Sequence, residues 1–507
     1  MMKNVLEMLE RTAERLPDSP AVTDAERTLT WKELLLTAQR VGSALADRIS
    51  GNEPVAVCAE KSALTLAAQL GVAYAGGFYV PVSSDQPADR VRKILTRLRA
   101  GLVIAEESQI PAVRGAGFAG EILTLSDLTA GNEELDRERL MRIRESASPD
   151  DLLYGIFTSG STGEPKCVSV SHRSVIDFIS HFTEIFQITE HDRLGNQAPF
   201  DFDVSVKDIY SCLMTGAELV IIDRRLFSMP AKLIDYLNEK GVTVLIWAVS
   251  ALTTVTALKG LDYGVPKHAR LIMFSGEAMP AGPFDEWRRA LPETEFVNLY
   301  GPSEITCNCT YYRIGKDFEK GRQIPIGRPF PGRRVFLLDE HWHEITEPGQ
   351  TGEICVAGES VAAGYYNDPE RTQKSFVQFA ASDGSELRMY MTGDLARYDE
   401  DGNLVFCGRK DFQIKLFGHR IELEEIEKAI AGTEGVSDSC CVFTPENSRI
   451  TAFYTGTADA HAIRETLVQE IPRYMLPRRF IRLESFPVTK NGKKDRNELR
   501  SRALGRS

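Results

Sequence analysis

"LLYGIFTSGSTGEPKCVSV", residues 152–170, runs from an apolar segment into a loop of small and hydroxyl residues that closes on a lysine. Leu152–Phe157 has the length and apolar character of a buried strand. The loop behind it supplies backbone N–H groups at Gly160 and Gly163, the hydroxyls of Thr158, Ser159, Ser161 and Thr162, and a cation at Lys166. Such a nest binds polyphosphate. It is not the common G-x-x-x-x-G-K-[ST] loop, because Pro165 holds the glycine position and Cys167 the hydroxyl position that would bind Mg²⁺. What is done with the phosphate must be decided by the rest of the chain.

Strand-type runs recur beyond the loop, at Glu218–Ile222, Val242–Trp247, Leu271–Phe274 and Glu295–Leu299, separated by helical patterns at Ser174–Phe186, Ala231–Lys240 and Phe284–Ala290. Val55–Cys58 and Leu102–Ile104 extend the alternation upstream. Strands alternating with helices predict an α/β fold of mainly parallel sheets covered by helices. From Ile326 to Phe406 the texture turns to short strands with Gly, Pro and Asp turns, a β-rich subdomain. After Asp411 a helix at Glu422–Ala431, strands near Ser439–Phe443 and Ile450–Tyr454, and a helix at Ala460–Glu470 predict a small α+β cap. The expected division is a body over 1–410 and a cap over 411–507.

At 507 residues the chain exceeds one compact core. A net charge of −12 speaks against nucleic acid as the partner. The nine cysteines are scattered without CxxC pairs. Cys307 with Cys309, and Cys440 with Cys441, therefore read as structural thiols rather than metal ligands. The N-terminal segment carries acids throughout and reads as an amphipathic helix with Val5, Leu6, Leu9 and Leu16 inward, not as a signal peptide. Leu64–Val82, the longest apolar stretch, is broken by Gln69, Gly76-Gly77 and Pro81, so it reads as a buried helix and a strand, not a membrane insertion. A cytoplasmic location is expected.

Further groups stand where chemistry needs them. In "NLYGPSE" (298–304), Asn298 can hydrogen-bond an exocyclic amine, Tyr300 can stack on a base, and Glu304 can hold Mg²⁺; alone, the stretch also reads as a tight turn. Asp394, in "YMTGDLARYDEDG", suits a ribose diol, although such residues more often serve turns. "GRKDFQIKLFGHRIELEEIE" and "PVTKNGKKDR" add Arg409, Lys415 and Lys493. A lone lysine in a terminal loop is ordinarily solvated.

Together these motifs resemble the adenylate-forming superfamily, which includes acyl-CoA ligases, luciferases and the amino-acid adenylation domains of peptide synthetases. The likeness covers nearly the whole chain, through "LTWKEL" (29–34), "YAGGFYVPVSSDQPADR" (74–90), "IPRYMLP" (471–477) and "NGK" (491–493). The nearest pattern is that of stand-alone D-alanine–carrier protein ligases, carried by "APFDFDVSVKDIY", "FSGEAMP" and "VTKNGKKDR". Cys167 and Ser83 depart from it, where glycine and aspartate are usual.

The resemblance implies that ATP and Mg²⁺ are used. Thr158, Ser159, Gly160, Ser161, Thr162, Gly163 and Lys166 would grip the phosphates. Asn298 and Tyr300 would hold adenine, Asp394 and Arg409 the ribose, and Glu304 the metal, with Leu299, Gly301, Pro302, Ser303 and Gly408 also in the ATP site. Lys493 would be the catalytic lysine, reaching both ATP and the substrate carboxylate. Asp203 would pair with an α-ammonium, and Val204, Lys207, Ile246, Met273, Ser275, Leu299, Cys307 and Asn308 would line the side-chain pocket. Asp411 would be the hinge of a mobile cap. The sequence holds no carrier-type attachment segment, so the product is expected to pass in trans to a phosphopantetheinyl carrier protein.

Two other readings compete with an amino-acid ligase. An acyl- or aryl-CoA ligase would not need a buried carboxylate at Asp203, and a silent binding module would not need Lys166, Glu304, Asp394, Arg409 and Lys493 together. A small amino acid such as alanine or serine is expected, since it fits the modest size of the other pocket residues and the overall likeness to alanine loaders. Lys207 departs from that likeness, since D-alanine ligases have methionine there and cysteine at Ser275. Lys207 must pair with Asp208, Glu277 or another protein carboxylate, pair with an acidic or polar substrate side chain, or reach out to solvent.

Overall fold

The computed structural model describes residues 2–131, 134–160, 163–489 and 494–505. Two large sheets dominate. The nine-stranded sheet runs in the order Arg328–Pro329, Thr310–Ile314, Glu295–Tyr300, Leu271–Ser275, Val244–Ala248, Arg193–Asn196, Glu218–Ile221, Pro20–Thr23, Thr28–Thr30. The strands from Glu295–Tyr300 to Pro20–Thr23 are parallel, with antiparallel strands at both edges. The seven-stranded sheet runs Gly364–Tyr365, Lys166–Ser171, Leu152–Thr158, Phe78–Val82, Pro54–Cys58, Leu102–Ala105, Glu121–Thr124, parallel from Leu152–Thr158 onward.

Parallel strands covered on both faces must be apolar throughout. Val244–Ala248 and Leu271–Ser275 are accordingly buried at every position. Leu64–Val82 resolves into a helix, Ala63–Tyr74, and a strand, Phe78–Val82, both buried. Gly71 lets that helix close on its neighbour Trp31–Leu45, since a Cβ there would stand 2.4 Å from Val41 Cγ1. The helix Val204–Thr215 is buried at every residue from Val204 to Leu213, including Lys207 and Asp208. The first helix, Leu6–Arg15, buries Leu6 and Leu9, with Val5 buried beside them and Leu16 packed against the same core.

The strand expected from Val242 begins at Val244 instead. Gly241 adopts φ +60° and the Val242 N–H donates to Leu237 O at 3.0 Å. That bond closes the preceding helix in a left-handed cap, so Val242 is spent before the ladder starts. Strand endings elsewhere agree with the sequence reading to within a residue or two.

An antiparallel sheet follows, built from Arg334–Leu338, Gly352–Ala357, Glu386–Tyr398 and Phe376–Ala380, with Leu404–Arg409 paired to the long strand. Beyond it lie the hairpin Gln413–Leu416/His419–Glu422, the helix Leu423–Ala431, and a three-stranded sheet of Val436–Thr444, Arg449–Gly456 and Arg479–Arg482. This smaller α+β unit has its own apolar core around Ile421, Ile426, Ile463 and Leu467. Among the described residues no helix is long and apolar enough to cross a membrane. All nine cysteines are unpaired and all but Cys407 are buried.

Candidate active site

In parallel sheets the loops that follow the carboxyl ends of the strands converge, and ligands bind there. Ser275 and Gly276, and Gly301 to Ser303, stand at two such ends and wall a cleft. Thr158 and Ser159 enter from the other large sheet, Asp203, Val204 and Lys207 from the buried helix, and Lys415, Gly418, His419 and Arg420 from the C-terminal hairpin. Gly301 is a steric requirement, for a Cβ there would stand 2.5 Å from Asn308 Cα. Thr306 and Cys307 take left-handed backbone, φ +55° and +73°, which swings Cys307 and Asn308 onto the wall.

The Ser/Thr/Gly loop is a hairpin between antiparallel strands, with Thr158 opposite Lys166. Gly163 N–H closes it on Gly160 O at 2.9 Å. Gly160 N–H donates to Glu425 Oε2 at 3.2 Å, and Ser159 Oγ donates to Arg420 O at 2.7 Å. Groups suited to phosphate are thus held here by the C-terminal unit. Among the described residues the buried Thr158 hydroxyl has no hydrogen-bond partner. Ser161 and Thr162 lie outside the described residues.

Behind the loop Lys166 Nζ donates to Glu304 Oε1 at 2.8 Å and to Tyr365 OH at 3.0 Å. Tyr365 OH donates to the same carboxylate at 2.8 Å. Arg420 Nη1 bridges both Glu304 oxygens, at 2.9 and 2.8 Å. Glu304 is fully buried, which by itself pushes its carboxyl up; the charges of Arg420 and Lys166 overcome this and hold it well below the ordinary range. Burial, and then Arg420, pull Lys166 down to about 8.

Asp394 and Arg409 face each other on paired strands and form an ion pair, and Tyr300 OH donates to Asp394 Oδ2 at 2.6 Å. Arg409 also donates to both oxygens of Asp411, at 2.6 and 2.7 Å. The neighbouring Gly408 has φ +127°. Asn298 is buried, with its amide donating to Pro325 O at 2.8 Å.

Asp203 precedes the first turn of the helix Val204–Thr215 but makes no capping hydrogen bond. Its carboxylate lines the cleft instead. Burial raises its pKa, against a hydrogen bond from Ser303 and the Lys207 charge. Lys207, one turn on, is 1% exposed, so it does not reach solvent. Its Nζ donates to Asn308 Oδ1 at 2.8 Å, with Ser275 Oγ at 3.5 Å. Neither expected protein carboxylate forms an ion pair with it. Asp208 accepts from Asn196 Nδ2 at 2.8 Å, and Glu277 accepts from the Gly418 N–H.

The cleft thus gathers Thr158, Ser159, Asp203, Val204, Lys207, Ser275, Gly301, Pro302, Ser303, Cys307, Asn308, Asp394 and Arg409. Ile246, Met273 and Leu299 are instead in the apolar core behind it. Lys493 lies outside the described residues. Sequence reasoning missed Arg420, Tyr365 and Glu425, which complete the charged cluster. For Arg420 and Glu425 the only sequence signal was the run "GHRIELEEIE", in which a basic residue precedes a helix dense in acids; Tyr365 had none. Among the described residues no cluster of three or more His, Cys, Asp or Glu forms a metal centre from protein ligands alone.

Residues 9–366 match the family model described as AMP-binding enzyme, and residues 425–493 that of the AMP-binding enzyme C-terminal domain. The chain is 31% identical over 503 residues to tyrocidine synthase 1 of Brevibacillus parabrevis, covering 98% of this chain and 45% of that protein. To bacitracin synthase 2 of Bacillus licheniformis it is 31% identical over 506 residues, covering 98% and 18%. It therefore spans less than half the length of these relatives. The solved structure of holo-PA1221, described as an NRPS protein containing adenylation and PCP domains bound to vinylsulfonamide inhibitor, matches with a TM-score of 0.85 at 27% identity, over 98% of this chain and 84% of that one. Fold, motif order and family model agree: the chain belongs to the AMP-binding enzyme family.

Proposed function

We propose that the chain is an ATP-dependent amino-acid ligase that forms an aminoacyl adenylate and passes the aminoacyl group, as a thioester, to a phosphopantetheinyl carrier protein supplied in trans. The observation that carries this is Asp203, an uncapped carboxylate at the cleft wall that also holds Thr158 and Ser159. An ammonium-binding anion beside a phosphate loop suits a substrate with an amine and a carboxylate on one carbon. An acyl-CoA ligase for simple acids has no use for it, because an unpaired buried carboxylate is costly.

In this reading the substrate carboxylate attacks the α-phosphate and pyrophosphate leaves. Negative charge gathers on non-bridging oxygens, and fixed cations there stabilise the transition state. Lys166 would meet the outer phosphates and Lys493 the reacting ones, while Asp394 would accept the ribose hydroxyls. Glu304 would hold Mg²⁺; one ionised carboxylate with no cluster of other ligands suits a cation held mainly by nucleotide phosphates and water. When bound, Mg²⁺ offsets phosphate charge. Asp411 would be the joint on which the C-terminal unit exchanges Lys493 for the hairpin now at the cleft. The division at 410/411 and a cytoplasmic site of action belong to the same proposal.

Likeness to D-alanine ligases favours a small side chain, and Lys207 departs from that pattern. The test is incubation with ATP, Mg²⁺, an amino-acid mixture and a separately produced holo-carrier, with the carrier's mass recorded. An increase equal to one aminoacyl group, lost in Asp203→Ala, supports the reading. Acylation by acids lacking the amine, at equal rate in wild type and variant, contradicts it.

A further inference from the structure

We infer that the side-chain pocket selects an amino acid with an acidic side chain, whose terminal carboxylate pairs with Lys207. The inference rests on the reading of the cleft as an amino-acid site. Asp203 and Lys207 are four residues apart, flanking and within the helix Val204–Thr215, and both line the cleft. That spacing puts their side chains on one face, one turn apart. An anion and a cation so placed match the two ends of one substrate. Asp203 faces the α-ammonium at the mouth, and Lys207 faces what lies further in.

The charges of Asp203 and Asp208 act on Lys207 from a distance, but among the described residues no carboxylate is in direct contact with its ammonium. An ammonium carries three N–H donors and no acceptor. Here its oxygen partners are neutral, Asn308 Oδ1 at 2.8 Å and the longer Ser275 Oγ. Among the described residues none forms an ion pair with it, although the side chain is 1% exposed. Asp208, its neighbour in sequence, is turned to Asn196 with one oxygen and leaves the other without a hydrogen bond. A buried cation without a partner is strongly unfavourable, whereas a well-oriented buried pair is tolerated. The site is completed when the ligand brings the anion.

The same geometry separates an acid from its amide. A carboxylate accepts hydrogen bonds and neutralises the ammonium, whereas an amide turned the same way leaves the charge buried. Sites with a buried polar group reject ligands that leave it unpaired far more strongly than they reject a missing methylene. A neutral methyl-sized ligand such as alanine would strand Lys207 in the same way.

The experiment is ATP–pyrophosphate exchange by wild type with aspartate, glutamate and 2-aminoadipate, in both hands, against asparagine, glutamine, alanine, serine and glycine. The panel is repeated with Lys207→Met and Lys207→Gln. The expected result is a kcat/KM preference of about 10⁴-fold for one acidic amino acid over its amide, of the order seen when a buried polar group loses its partner. In the variants that preference falls to within about tenfold, while exchange with a neutral amino acid persists or appears, which shows that the variants fold. A wild-type preference for alanine, serine or an amide overturns the inference and leaves the amino-acid ligase standing. Exchange with simple carboxylic acids but with no amino acid overturns the reading of the cleft, and the inference with it.

Discussion

Arg420 and Glu304, 116 residues apart and on opposite sides of the proposed joint at Asp411, meet through one guanidinium nitrogen that bridges both carboxylate oxygens. Glu304 is the residue proposed to hold Mg²⁺, so the docked hairpin places a protein cation where the metal would bring its charge. On that proposal the two occupants would exclude each other. Arg420→Met is expected to leave Mg²⁺·ATP binding as tight as in wild type or tighter, while loosening docking by about 1.5–3 kcal/mol, the worth of a charged hydrogen bond. Proteolysis near the joint in the absence of nucleotide would then be faster. Arg90→Met is the control, because it breaks the other buried ion pair across the joint, to Glu425, without touching Glu304. Weaker Mg²⁺·ATP binding in Arg420→Met than in Arg90→Met contradicts the competition.

Asp411→Pro tests the joint itself. Proline fixes φ near −65° and removes rotation at the one residue expected to turn. It also removes the carboxylate that holds Arg409 and accepts from the Gln413 N–H at 3.2 Å, so Asp411→Ala is compared alongside. Adenylate formation is expected to survive in Asp411→Pro while thioester transfer is lost, and both to survive in Asp411→Ala. Equal retention of both half-reactions in the proline variant places the hinge elsewhere.

Acid stability should carry a separable contribution from His172, alongside that of His419, which burial also pushes down, to about 4. His172 is 3% exposed, and its Nδ1 accepts from the Val5 N–H at 3.4 Å. Burial, with Arg144 adding to it, pushes His172 down to about 3. Below about pH 6.5 the unfolded chain binds a proton that the folded chain refuses, so this part of the stability is complete above pH 6.5 and is lost as pH falls toward 3. His172→Gln removes the term. Between pH 7 and pH 5 the variant should lose about 2 kcal/mol less than wild type in urea unfolding. Parallel losses in both proteins contradict the assignment.

Lys493→Ala is expected to abolish adenylate formation while ATP still binds. Removing one transition-state contact to developing charge costs on the order of 10²–10³ in rate. Single-turnover adenylate formation, with nucleotide binding measured separately, checks it. Wild-type rates in the variant would refute the role.

The alternation of apolar runs with helical patterns made the two large sheets legible, because strands buried on both faces carry their burial in composition alone. Leu271–Ser275 and Glu295–Tyr300 are such cases. The hairpin Thr158–Lys166 was legible for a different reason, since its residues are useful only next to one another. Arg420 was not, because its meaning depends on how a separate unit docks, and no local spacing encodes a contact across 116 residues. Tyr365, on a short edge strand against Lys166–Ser171, was hidden in the same way. Lys207 was legible as a problem but not as a solution. Its partners arrive from different places, Ser275 at the end of one strand and Asn308 in the loop after another, and only the fold brings them together.

The central claim is that the carboxylate activated here belongs to an amino acid. Amino-acid-dependent exchange of labelled pyrophosphate into ATP tests it most directly, run over all common L- and D-amino acids beside the same acids without the α-amine. Exchange is expected with at least one amino acid, with a loss of about 10⁴-fold when the amine is absent, since a buried polar group is then left unpaired, and with loss of that discrimination in Asp203→Ala. Exchange that is as fast with the amine-free acids as with any amino acid would contradict it.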